Sequence, residues 1–138
     1  MTGSGEPSAG SQVSRVIRFD GFRWADISPV SYKDEGESWL AVTRHPLIGT
    51  AEGTPFHVRY FEVAPRGYTT YEQHKHQHVV VALRGAGEVR LGDDWLPVRF
   101  GDVVYVAPND PHQFRAIGDE AFGFLCIVAA ERDRPVPI

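Results

Sequence analysis

Residues 72–78 read Glu72-Gln73-His74-Lys75-His76-Gln77-His78, the stretch of the chain best equipped for chemistry. Three of the six histidines fall within five residues, at every second position. In an extended chain, side chains at i, i+2 and i+4 share a face, so the imidazoles form a row that Glu72 continues at its N-terminal end. Repeated imidazole nitrogens beside a carboxylate suit a divalent first-row metal such as Mn, Fe, Co, Ni, Cu or Zn. The competing reading is a solvated edge strand whose histidines meet only water.

A row of this kind needs a strand to carry it and other strands to close over it. The apolar run 79–83 follows directly and reads as a strand buried on both faces. Residues 56–64 form a strong strand of aromatic and β-branched residues, ended by Pro65-Arg66-Gly67. Shorter strands are predicted at 15–19, around Phe22 and Trp24, and at 39–44, the last stopped by Pro46. Turn signals at 85–87, 92–94, 101–102, 108–111 and 118–119 separate strands at 88–91, 95–100, 103–107, 112–116 and 122–129. Residues 32–38 and 49–55 read as loops, and 131–138 as a polar tail. About ten short strands, evenly spaced and without a convincing helix, predict an all-β sandwich or barrel. Residues 1–14 are rich in Gly, Ser and Thr and read as a disordered leader, leaving 15–138 as a single domain.

Composition narrows the function classes. The net charge of −4 argues against nucleic-acid binding, which needs a basic face. No run approaches the roughly 18 apolar residues of a membrane span, and no secretory signal is evident. The single cysteine, Cys126, permits no intrachain disulfide, and a cytoplasmic location is the expectation. Gly85-x-Gly87 is not a nucleotide loop, since no helix follows it.

The region 67–127 resembles the cupins, small jelly-roll β-barrels. The first cupin motif is a glycine, a His-x-His pair, a further ligand three or four residues on, and six residues to another glycine. Counting back from Gly85, that ligand is His78, and the pair falls on Glu72 and His74. Glutamate thus stands where the first histidine usually does, and His78 where a glutamate usually does. In the second motif Gly101 leads and His112 is in register. Ala107, Asn109 and Ala116 replace the usual proline, glycine and asparagine. The resemblance implies a metal held by Glu72, His74, His78 and His112, one per chain, with Mn, Fe, Ni, Cu and Zn all admissible. His76 would replace Glu72 as ligand or line the cavity as a catalytic proton acceptor.

Further candidates surround these. Phe122, Phe124 and Cys126 share a face, so Phe124 and Cys126 are candidate cavity walls for a substrate, although a lone cysteine is most often a small buried hydrophobe. Phe114 shares a face with His112. Arg59, Tyr60 and Arg44 are candidates to bind a substrate carboxylate, against the plainer reading of a solvated strand face. The expected function is a metal-dependent enzyme on a small organic molecule, first a dioxygenase or other oxidoreductase, then an isomerase or decarboxylase. The alternatives are a non-catalytic ligand-binding or sensing module and a purely structural metal site. A homodimer is expected by analogy with other single-domain cupins, with the segment 16–24 free to pair with a partner sheet.

Overall fold

The computed structural model describes residues 13–33 and 38–138. The leader read over 1–14 lies outside the described residues except for Val13 and Ser14. The strands are β1 (Val30–Ser31), β2 (Leu40–Ile48), β3 (Phe56–Tyr68), β4 (Glu72–Gln73), β5 (His78–Arg84) and β6 (Ala86–Leu91). β7 (Asp94–Arg99), β8 (Val103–Val106), β9 (His112–Ala116), β10 (Phe122–Ala129) and β11 (Val136–Pro137) complete the set. Among the described residues no helix is long and apolar enough to cross a membrane.

Every strand pairing is antiparallel, and the strands form two groups. One runs β1-β2-β3-β10-β5-β8 and the other β7-β6-β9-β4-β11. They join where Tyr68, at the end of β3, pairs with Arg115 of β9. The core lies between the two groups, with Val63, Val80, Val89, Phe114, Phe122 and Phe124 buried in it. Buried and part-exposed residues alternate along β9, and along β10 from Phe124 onward, as expected for strands with one face on a core.

Three expectations are corrected. β3 does not stop at residues 65–67 but bends through them. The pairing with β2 jumps from Val42↔Val63 to Leu40↔Tyr68, and Arg66 takes a left-handed φ of 70°. The extra residues form a bulge, which turns β3 from one group into the other. β2 likewise runs through Pro46 to Ile48, because a second shift between Pro46 and Ile48 accommodates the missing N–H. The segment 15–24 forms only a single bridge, Phe19 to Trp24. Its rings pack on Tyr60 of the same chain, Trp24 at 4.9 Å and Phe22 at 6.1 Å between centroids.

Tyr60 is fully buried under that cover, and its hydroxyl donates to Glu62, 3.0 Å away. Glu62 in turn pairs with Arg84 at 2.6 Å. Gly123 of β10 lies beneath the phenol, and a Cβ there would sit 1.9 Å from the Tyr60 oxygen. Gly123→Ala should therefore destabilise the barrel by about 1–3 kcal/mol, the usual cost of overpacking. Thermal unfolding checks this; an unchanged midpoint would show that the Tyr60 cluster moves freely.

Candidate functional site

The histidine stretch is not one continuous strand. β4 ends at Gln73, residues 74–77 bend, and β5 begins at His78. The expected flat row of side chains is folded into a cluster. The His74 and His76 rings stack at 3.8 Å between centroids with planes 8° apart, and His78 lies 4.3 Å from His74. The turn before β9 holds this bend: the Asn109 N–H donates to the His74 carbonyl at 2.7 Å. β9 then places His112 directly opposite Glu72 of β4. Glu72, His74 and His112 are all buried, and their donor atoms lie within 4.8 Å of one another. Those of His74, His76 and His78 meet the same limit.

The hydrogen bonds of these rings decide their protonation. His74 Nδ1 is 2.7 Å from the His76 carbonyl and His112 Nδ1 is 2.9 Å from the Asp110 carbonyl. A carbonyl oxygen only accepts, so each Nδ1 carries the proton, and each Nε2 of a neutral ring presents a lone pair. The two Nε2 atoms face one another at 3.1 Å. Burial lowers the His74 pKa to about 4 and pushes those of His78 and His112 down as well. Neutral rings aimed together in this way repel unless a cation stands between their lone pairs. The buried Nδ1 of His78 has no hydrogen-bond partner among the described residues. With the Glu72 carboxylate beside them, these donors fit a divalent transition metal.

Two contacts on the donors were not readable from the sequence. Lys33, from the predicted loop, reaches Glu72 Oε1 at 2.6 Å. Asp133, from the predicted polar tail, accepts from the backbone N–H groups of Lys75 and His76 at 2.8 and 3.0 Å. It also accepts a hydrogen bond from His76 Nδ1 at 2.9 Å, and these bonds hold the Asp133 carboxyl well below the usual range. A carboxylate on one nitrogen of a histidine fixes the ring and its tautomer, leaving Nε2 as the working atom. The tail docks because β11 pairs with β4, Val136 against Gln73 and Pro137 against Glu72. Charged residues flanking a two-residue strand carry little signal of their own, so only the topology shows where the tail lands.

A cavity of about 190 Å³ adjoins the donors. Strand register explains its walls. Arg44, Phe61 and Phe124 are successive cross-strand partners on β2, β3 and β10, and Arg59 of β3 pairs with Cys126 of β10. All five line the cavity, with Phe114, Tyr32, Arg132 and the donors Glu72, His76, His78 and His112. The Arg59 Nη2 donates to Cys126 Sγ at 3.3 Å. Burial pushes the Cys126 thiol up, and the Arg59 charge opposes this. Tyr60 does not belong to the cavity. Alternation along β3 turns it to the opposite face, where Phe22, Trp24 and His45 cover it.

Residues 59–128 match the family model of the cupin domain. A protein of Rhodospirillum rubrum named 1-methylthio-D-xylulose 5-phosphate methylsulfurylase is 43% identical over 115 residues, which span 83% of this chain and 73% of that protein. The (S)-ureidoglycine aminohydrolase of Arabidopsis thaliana is 36% identical over 80 residues, 57% of this chain and 27% of its own length. The crystal structure of a cupin 2 conserved barrel domain protein from Rhodopseudomonas palustris superposes with a TM-score of 0.81 at 37% identity, covering 90% of this chain and 86% of that one.

Proposed function

The chain belongs to the cupin family, and from that premise we propose that it is a metal-dependent enzyme acting on a small phosphorylated ketose thioether. The substrate class follows the name of its Rhodospirillum rubrum relative. The observation that carries the reading is a metal-competent donor set that adjoins the cavity lined by the chain's single thiol. Glu72, His74, His78 and His112 are the proposed ligands. A divalent metal bound there would supply Lewis-acid polarisation of a substrate carbonyl.

The protein's own groups would do the rest. Cys126 Sγ bonds to the methylthio sulfur, and the carbon–sulfur bond next to the carbonyl breaks. The electron pair stays on that carbon, which takes up one proton to replace the proton lost by the thiol. Cys126 is left as a methyl disulfide, and a small soluble thiol takes the methylsulfanyl group by exchange, restoring it. Arg59, on Sγ, favours the thiolate. His76, oriented by Asp133, is the group assigned to carry the proton. Dioxygenase chemistry, the first expectation from the sequence, is set behind this reading because a buried thiol beside a basic wall favours transfer from an anionic thioether.

Incubation with 1-methylthio-D-xylulose 5-phosphate, dithiothreitol and Mn or Fe, followed by proton NMR, tests it. The methylthio signal should give way to a disulfide methyl and a new C1 methyl. Cys126→Ser should take up metal normally and show no turnover. Turnover by that variant at the native rate would remove the thiol from the mechanism. A native protein inert with every metal would leave the ligand-binding module ahead. A homodimer is part of the same proposal, and light scattering showing a monomer would refute it.

A further inference from the structure

The cavity is far more basic than the protein around it. Lys33, Arg44, Arg59 and Arg132 line it, and among the described residues Glu72 is the one acidic member of its lining. That carboxylate is already held by Lys33 at 2.6 Å. Three guanidiniums are thus drawn together on a chain whose net charge is −4. Among the described residues neither Arg59 nor Arg132 forms an ion pair with a carboxylate. Arg59 directs one nitrogen to Cys126 Sγ, and its buried Nε has no hydrogen-bond partner among the described residues. Among the described residues Arg132 is anchored through Nη1, which donates to the Ala129 carbonyl at 2.8 Å, to His57 Nδ1 at 3.1 Å and to the Ala130 carbonyl at 3.4 Å. Burial, then the Arg59 charge, with Arg44 adding to it, holds the Arg132 guanidinium below its ordinary range.

Like charges gathered in a half-enclosed cavity are costly unless an anion joins them. A divalent metal on the nearby donors would add two more positive charges. The geometry points to a phosphate-monoester subsite formed by Arg59 and Arg132, with Arg44 lining the same cavity, which seats the substrate's phosphate. The ligand class is a dianion because Arg59 and Arg132 together offer two positive charges that no carboxylate among the described residues neutralises. Guanidinium forks match the tetrahedral oxygens of a phosphate by paired hydrogen bonds. Arg59 would then have two roles, one nitrogen on the thiol and the others on the phosphate, tying the position of the reacting sulfur to occupancy of the anion site. This deepens the reading above and rests on it for the rest of the substrate only.

Calorimetric titration of glycerol 3-phosphate, glycerol and glycerate into the full-length protein, metal-free and metal-loaded, tests it without turnover. Glycerol 3-phosphate should bind, glycerol should not, and the carboxylate should bind at least about tenfold more weakly than the phosphate. Charge-assisted hydrogen bonds are each worth about 1.5–3 kcal/mol, so Arg59→Gln or Arg132→Gln should each weaken phosphate binding by about 10–100-fold. Metal uptake should be unchanged in both. Should Arg132→Gln unfold, Arg59→Lys, which keeps the charge but not the fork, must still lose at least tenfold. Equal binding of glycerol and its phosphate, or full binding by both variants, overturns the subsite. Phosphate binding without turnover of the thioether overturns the proposed reaction instead and leaves the subsite standing.

Discussion

Metal uptake by the His112→Ala variant should fall by more than about 100-fold. Loss of a group that merely orients a ligand costs 10–100-fold in metal affinity, and removal of a ligand should exceed that. His112 presents its Nε2 lone pair 3.1 Å from that of His74, and its ring is fixed by the Asp110 carbonyl. It therefore reaches the site already aimed and unprotonated, and no other described residue of β9 offers a donor atom there. Glu72→Ala should cost less, because the Glu72 carboxylate must share its charge with Lys33 before it can serve a metal. Titration of Mn or Zn against a competing chelator decides the order. Equal losses at the two positions would make Glu72 a full ligand. A greater loss at His76 than at Glu72 would move the ligand set two residues along the chain.

Much of this site was legible because period-two spacing and glycine counts are properties of the sequence. Gly85 takes a φ of 63° at the turn after β5, and counting back from it reaches His78 at the start of that strand. Phe124 and Cys126 share an inner face because β10 is regular from Phe124 to Ile127. What failed to read were contacts set by topology. Tyr60 looked like a partner of Arg59, but neighbours in a strand point to opposite faces, and only the packing of Phe22 and Trp24 shows that both faces of β3 are covered. The chain could bend through Pro46 and residues 65–67 because bulges absorb the irregularity, which turn chemistry alone reads as a stop. Lys33, Arg132 and Asp133 come from segments with no periodicity, so nothing local tied them to the histidines.

Chelation should leave the barrel folded and abolish the proposed activity. The core between the two strand groups is continuous and apolar, running from Val63 through Phe122 and Phe124 to Val89, and none of it depends on a metal. The donors are also held without one. His74 rests on the His76 carbonyl, His112 on that of Asp110, His76 on Asp133 and Glu72 on Lys33. Each constraint comes from backbone or from a neighbouring side chain, so with the ion removed these bonds still hold Glu72, His74, His76 and His112 in place against the repulsion of the facing lone pairs, with the His74 and His112 rings neutral. Binding then contributes only by mass action, about 2.7 kcal/mol at a hundredfold excess over Kd. For a chain of this size that is a shift of roughly 5–10 °C in melting temperature. Circular dichroism with a chelator should therefore keep the β signal at room temperature, with the midpoint lowered by that amount. Turnover of the thioether should vanish and return on addition of Mn or Fe. Loss of the β signal on chelation would instead mark the ion as structural, as in domains that cannot fold without zinc. The cavity's arginines and thiol would then have to be explained by binding alone.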